Sequence, residues 1–182
     1  MCIRDRYQRV VNINPPPDSD EPLSSPEVNL TVIAQLGAIR LNARRAVISF
    51  FDRKKEYVFA ESTRTLALRA CSSKYRDEGD ALWRGACTMK RPATLADHTF
   101  RRAVKHASGD FVDVVQHEDL KLFPHAPPDL HFYAGVPITT SLGYIIGVYA
   151  IFDDKERDGL NEDERETPVS YTHLTLPTNR EV

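Results

Sequence analysis

The stretch HFYAGVPITTSLGYIIGVYAIF, residues 131–152, decides the fold of this chain. Two runs rich in β-branched and aromatic residues, 131–138 and 144–152, are separated by a short segment that ends in Gly143. Such a pair of runs predicts an antiparallel β-hairpin. Successive side chains of a strand point to opposite faces. In the second run both faces are apolar, with Ile146, Val148 and Ala150 on one and Ile145, Tyr149 and Ile151 on the other. We therefore expect an interior strand that is covered on both sides.

Three further runs predict strands. Residues 46–51 and 56–61 are β-branched and aromatic and are joined by a short polar turn, which predicts a second antiparallel hairpin. Residues 111–115 predict another strand. The periodicity breaks up over 62–92, where we expect loops with short helical turns. The connection 116–129 is long and irregular, and connections of that length are often functional.

Helices are predicted near both ends of this region. Ser25 predicts the cap of a helix over 26–43, and apolar residues at three- and four-residue steps predict the face that lies on the sheet. That face comprises Val28, Val32, Leu36 and Ile39. Helical spacing returns over about 95–107. Asn161 followed three residues later by Glu164 predicts the capped start of a last helix.

The two ends of the chain predict no fold of their own. Residues 1–6 and 169–182 resemble translated sequencing adapter, so we expect 1–6 and 168–182 to be artefacts that fold reasoning must leave out. Residues 7–25 are rich in proline and poor in apolar residues, which predicts a linker. One domain is expected over 26–167, truncated in its C-terminal helix.

Composition narrows the class of protein. The chain of 182 residues has a net charge of −2. It therefore lacks the excess of basic residues that is typical of nucleic-acid-binding proteins. No apolar run approaches the roughly 20 residues that cross a bilayer, so no membrane contact is expected. Outside the adapter-like start the cysteines are Cys71 and Cys87, whose spacing fits neither a zinc knuckle nor a redox pair. We expect a cytoplasmic protein with free thiols.

Several motifs together resemble a GAF domain. Residues 132–138, 143–155 and 160–164 are similar to the ending of that family. Residues 33–42 and 45–53 resemble the N-terminal GAF domain of fungal hybrid sensor histidine kinases. The resemblance implies an α+β fold with a central antiparallel sheet of roughly five to six strands. It also implies terminal helices on one face of the sheet, with short helices and loops around a regulatory cavity on the other.

The resemblance implies a regulatory, sensory domain of a signal-transduction protein. We expect it to bind a small molecule, to form a homodimer through its terminal helices, or both, and so to control a downstream kinase domain. The sequence shows no kinase or phosphotransfer motif, so no enzymatic activity is expected, and it leaves the cofactor unknown. Two alternatives remain open: a dimerisation scaffold without a ligand, and a thiol enzyme resembling free methionine sulfoxide reductase, in which Cys71 and Cys87 would react.

Six residues are candidates for lining a ligand cavity, since such sites combine aromatic side chains with a few polar groups. They are Phe50, Trp83, Asp97, His98, Tyr133 and Tyr149. Asp97 and His98 resemble a GAF element in which the histidine borders the cavity. Alternatively, Asp97 caps the helix and His98 is structural.

Particular ligands are disfavoured. Neither cysteine precedes a histidine, as a bilin attachment site requires, and no Asn-Lys-Xaa-Phe-Asp-Glu element of the cyclic-nucleotide type is present. His117, His125 and His131 are spaced in no regular ligand pattern, so we expect no metal site.

Overall fold

The computed structural model describes residues 25–66, 81–91, 94–106, 112–123, 126, 129–140 and 142–166. Cys71, His125, nearly all of the expected linker and the adapter-like ends lie outside the described residues, as does the side chain of His117. Predictions for those positions stay predictions.

The described residues form one antiparallel sheet with helices on both faces. Its strands are β1 (Arg45–Phe51), β2 (Lys55–Thr63), β3 (Cys87–Lys90), β4 (Asp113–Gln116), β5 (Phe132–Thr139) and β6 (Ile145–Asp153). They lie in the order β3-β2-β1-β6-β5-β4, and all neighbours pair antiparallel. The helices are α1 (Val28–Arg40), α2 (Leu95–His106) and α3 (His117–Leu120), and residues 162–166 are also helical. This confirms the α+β class and the predicted sheet.

The β5–β6 hairpin is interior, as its apolar pattern predicts. β6 pairs with β5 on one side and with β1 on the other. Val148 is 0% exposed and Tyr149 1% exposed, on opposite faces of the strand. Pro137, which has no N–H to donate, lies beyond the part of β5 that pairs with β4.

The two faces of the sheet bury different sets of side chains. The helix face, covered by α1, includes Ala46, Ile48, Phe132, Ala134, Tyr149 and Ile151. The cavity face, which packs on α2, includes Val47, Val58, Tyr133, Val148, Ala150 and Phe152. Residues of both sets alternate along β1, β5 and β6, because a strand points its side chains to the two faces in turn.

The prediction for 62–92 was wrong in one part, because Cys87–Lys90 forms β3 along the edge of β2. This strand has four residues that alternate between half-buried and exposed. So short an edge strand produces almost no periodic pattern, and its pairing depends on β2 lying beside it.

The predicted apolar face of the first helix was also wrong. The residues of α1 that are buried are Thr31, Ala34, Gly37 and Ala38. Val28, Leu36 and Ile39 are 56%, 44% and 52% exposed and face away from the sheet. The sheet selects the small residues because Gly37 lies directly over the Tyr149 hydroxyl, where a Cβ would overlap the oxygen. A face of larger side chains would hold the helix too far away.

The helix starts follow familiar capping chemistry, with two shifts from prediction. Ser25 Oγ accepts the amide of Glu27, but the regular helix begins at Val28. Thr94, rather than Asp97, caps α2, since its Oγ accepts the Asp97 amide at 3.0 Å. The reciprocal bonds between Asn161 and Glu164 are present at 2.8 and 2.9 Å, which confirms the predicted capping box.

Arg157 joins the end of the sheet to the end of α1. Its guanidinium donates to Asp153 Oδ2 and to the main-chain carbonyls of Leu41 and Asn42, at 2.5 to 2.9 Å. One side chain thus fixes β6, the C-terminus of α1 and the path of the chain toward residue 160. Among the described residues, none of the helices combines the length and the apolar character that crossing a bilayer requires.

We predict that Gly37→Ala destabilises the protein by about 1–3 kcal/mol, because the added methyl group overlaps the Tyr149 hydroxyl. Alanine normally stabilises a helix interior by up to about 1 kcal/mol relative to glycine, so the sign of the effect is diagnostic. Urea unfolding measures it. Adding Tyr149→Phe should recover part of the loss, and a Gly37→Ala protein as stable as the parent would contradict this packing.

Candidate functional site

A cavity lies on the cavity face of the sheet, under the start of α2. It lies between β1, β2, β6, α2 and residues 83–89, and its empty space together with the solvent at its open mouth amounts to about 520 Å³. Apolar side chains make up most of its lining, with Val47, Val58, Leu95, Ala96, Ala150 and Phe152 among them. Polar groups enter from Ser49, Glu56, Glu61, Arg84 and Thr94. An apolar pocket with a few convergent polar groups is the usual construction of a small-molecule site.

Glu61 holds one wall of the cavity in place. Its carboxylate accepts the main-chain N–H groups of Trp83, Arg84 and Gly85 at 2.6 to 2.8 Å, and its side chain is 1% exposed. Arg45 on the neighbouring strand donates to the same carboxylate at 2.8 Å. Four charge-assisted hydrogen bonds satisfy both carboxylate oxygens, which is what a buried charge requires.

Glu56 is the second buried carboxyl of the cavity. It is 2% exposed, and Ser49 Oγ donates to its Oε1 at 2.8 Å. Burial raises its pKa above the ordinary 4.5, while the Thr94 and Ser49 hydroxyls act in the opposite direction. Its Oε2 has no hydrogen-bond partner among the described residues. Glu56 therefore brings an unused acceptor to an apolar cavity.

A β-bulge puts both glutamates on one face. They are five positions apart, so in a regular strand they would point to opposite sides. The β1–β2 register shifts at Ile48, which pairs with Ala60, while Ser49 pairs with Val58. Phe59 is the extra residue, and it turns the alternation by one position.

A buried polar network lies on the same side of the sheet, centred on Asp113. Its carboxylate accepts from His98 Nδ1 at 3.0 Å, Thr99 Oγ1 at 2.8 Å and Arg102 Nη1 at 2.5 Å. Thr99 Oγ1 is also 2.8 Å from the hydroxyl of Tyr133. The network fixes α2 to β4 and β5, and burial raises the pKa of the Tyr133 phenol well above its usual value.

Asp97 is held by two arginines. Arg91 Nε and Arg101 Nε each lie 2.6 Å from its carboxylate. The Arg91 guanidinium also lies over the Phe100 ring, 4.2 Å from its centroid. These contacts attach the N-terminal turn of α2 to the end of β3. The role of Asp97 in them is structural.

The six candidate residues do not form one site. Trp83 lines the cavity, and its ring meets Phe152 edge-on at 5.9 Å. Asp97, His98 and Tyr133 lie on the same side of the sheet but in the two networks just described. Phe50 and Tyr149 pack on the helix face and do not line this cavity. The alternation along a strand shows which residues share a face of the sheet. It does not show which of the two faces α1 covers and which one holds the cavity.

Cys87 and His131 are the remaining reactive or metal-binding candidates whose side chains the structure describes. Burial raises the pKa of the Cys87 thiol to about 11, so it is protonated at neutral pH. His131 Nδ1 lies 2.6 Å from the main-chain oxygen of Asp154. Within the described ranges, no three His, Cys, Asp or Glu side chains converge as metal ligands do.

Sequence reasoning missed Glu56, Glu61 and Arg84, which are the charged groups of the cavity. Glu56 and Glu61 occur in a run that predicts a strand, where glutamate usually marks a solvent-facing position. The available hint was their place on either side of an otherwise apolar Tyr-Val-Phe-Ala segment. The positions of these two glutamates indicate a buried site only when the strand is known to be covered on both faces.

Comparison with solved structures places the fold. GAF domains of phosphoenolpyruvate-protein phosphotransferases from Acinetobacter and from Coxiella burnetii superpose with a TM-score of 0.57 each, at 12% and 16% identity. Both alignments cover 93% of this chain and 85% of the other. A type II free methionine-R-sulfoxide reductase from Thermoplasma acidophilum gives 0.51 at 13% identity, covering 80% and 86%. No protein-family profile and no curated protein matches the chain. The chain has the fold of a GAF domain.

We predict that Glu61→Gln lowers the free energy of unfolding by about 3 kcal/mol, since it breaks a buried ion pair and leaves Arg45 without its counterion. Trp83 is the one tryptophan of the chain, so its fluorescence reports the same wall. The emission of the folded variant should shift to longer wavelength as water reaches the indole. Glu156→Gln is the control, because it removes the same charge at an exposed position. Equal stability of the two variants would refute the role assigned to Glu61.

Proposed function

We propose that this chain is a regulatory, sensory GAF domain that binds a small molecule in the cavity beneath α2. The cavity itself is the observation that carries the proposal: it is mostly apolar, has a few polar groups and lies on the face opposite α1. The wall of the cavity at 83–85 is held by the Glu61 carboxylate.

The proposed output lies outside this domain. The resemblance of residues 33–42 and 45–53 to sensor histidine kinases supports a cytoplasmic kinase domain as the partner that the domain controls. Arg157 connects the end of β6 to the end of α1, so a change in the sheet reaches both the first helix and the helix that starts at 162. These two helices are the proposed route of the signal.

The thiol enzyme is less well supported than the sensor. The reductase among the structural neighbours shares the fold at 13% identity, which does not transfer an activity. A thiol with a pKa of about 11 supplies very little thiolate at neutral pH, and the thiolate is the nucleophile. We therefore propose a sensory domain without enzymatic activity of its own.

Filling the cavity tests the ligand proposal. Ala96 lines the cavity from α2, so Ala96→Leu places a larger side chain in the ligand's space. A thermal-shift screen with nucleotides, tetrapyrroles and small metabolites should yield a compound that raises the Tm of the parent protein, because it binds only the folded state. Ala96→Leu should unfold cooperatively and lose that shift. A compound that stabilises both proteins equally binds elsewhere and would count against this site.

A second proposal, homodimerisation through the helices, is favoured by the exposed apolar residues of α1. Val28, Leu36 and Ile39 form a stripe on the side away from the sheet, and a stripe of this spacing pairs well with a second helix. It applies with or without a ligand, so it also covers the scaffold alternative.

We predict that Leu36→Lys converts a dimer of the full chain into a monomer, since it places a charge within the stripe. Sedimentation velocity over a range of concentrations measures this. Val104→Lys is the matched control, because Val104 is 54% exposed on α2, outside the stripe. Parent protein that stays monomeric at every concentration, or equal effects of the two substitutions, would disprove the proposed interface.

A further inference from the structure

Glu56 Oε2 is a buried acceptor of the cavity that the described part of the chain leaves without a hydrogen-bond donor. The residue is 2% exposed, and this oxygen has no hydrogen-bond partner among the described residues. Leaving a buried acceptor unpaired is costly, so native structures retain such groups rarely and usually for a reason. The oxygen borders an open cavity, where a ligand can supply the missing donor.

The other carboxylate of the cavity is already fully engaged. Glu61 accepts three main-chain N–H groups and the Arg45 guanidinium, so it has no need of a ligand. Arg84 donates to the Met89 sulfur and lies over the Trp83 ring, 4.4 Å from its centroid. Of the two cavity carboxylates, Glu56 is therefore the one with an oxygen available to a ligand.

The rest of the lining sets the character of the ligand's body. Val47, Val58 and Leu95 surround the carboxyl with hydrocarbon, and Ala150 and Phe152 extend that surface along β6. A fully polar ligand would lose its hydration there without replacement.

We propose that the ligand of this cavity is a small amine, with an apolar body whose protonated nitrogen donates a hydrogen bond to Glu56 Oε2. This inference rests on the proposed function, in which a small molecule occupies the cavity. The amine satisfies the unused acceptor, its charge favours the ionised carboxylate, and its body covers the apolar lining. An anionic ligand cannot donate a hydrogen bond to Glu56 Oε2 and would be repelled by that carboxylate, so it is disfavoured.

Titration calorimetry of the full chain with four matched probes tests the proposal. 2-Phenylethylamine carries the donor and the charge, trimethyl(2-phenylethyl)ammonium carries the charge alone, 2-phenylethanol carries a neutral donor, and 3-phenylpropionate is an anion. The amine should bind most tightly and the anion most weakly. Loss of a charge-assisted hydrogen bond should weaken the quaternary ammonium and the alcohol by about tenfold or more.

The same titration with the Glu56→Gln protein tests whether the Glu56 carboxylate binds the amine. This substitution keeps the shape of the side chain and removes its charge, so the amine should bind about tenfold or more weakly, while Glu156→Gln should bind it as the parent does. Equal affinity of the amine for Glu56→Gln and the parent, or tighter binding of the anion than of the amine, would overturn the proposal.

The same set of compounds separates this inference from the function it rests on. A non-amine compound that stabilises the parent but neither the Ala96→Leu nor the Glu56→Gln protein would leave the sensory site standing and refute the amine as its ligand. If neither the amine nor any screened compound distinguishes the parent from Ala96→Leu, the ligand-binding function and the amine class both fail.

Discussion

The hydrogen bonds of the Glu61 carboxylate are the constraint on which the candidate site depends. Three consecutive main-chain N–H groups, those of Trp83, Arg84 and Gly85, are fixed by this one buried side chain. Arg45 balances the charge from the adjacent strand. Because both groups are buried, removing either one would leave an unpaired charge and lower the stability of the fold. The wall of the cavity and the pairing of β1 with β2 therefore both depend on this ion pair.

The opposite face of the sheet is governed by close contact rather than by charge. α1 lies so near β6 that only glycine fits at position 37 above the Tyr149 hydroxyl. The small residues Ala34 and Ala38 continue that contact. Leu30 and Ile33 pack beside these small residues, while Val28, Leu36 and Ile39 remain exposed on the other side of α1. Core packing and the proposed interface thus use two faces of the same helix.

The two faces are joined at their ends. Arg157 bonds the end of β6 and the end of α1, and the Asp113 network bonds α2 to β4 and β5. A ligand beneath α2 would therefore contact a sheet whose opposite face is covered by α1, one of the two helices of the proposed signal route. This arrangement suits a domain that reports occupancy of a cavity to an attached output domain, which is how the proposed function uses it.

The sequence by itself determined the β5–β6 hairpin, the β1–β2 hairpin, α2 and the Asn161–Glu164 capping box, because each has a local pattern of period, turn or cap. Of the site, it identified Trp83 in the cavity but not the glutamates. The tertiary structure alone decided three things. The bulge at Phe59 put Glu56 and Glu61 on one face, the Tyr149 hydroxyl selected which side of α1 is buried, and β2 gave the four-residue β3 its partner. In each case the deciding feature is a contact between residues distant in sequence or a one-residue shift in strand register. A local sequence pattern predicts neither of these.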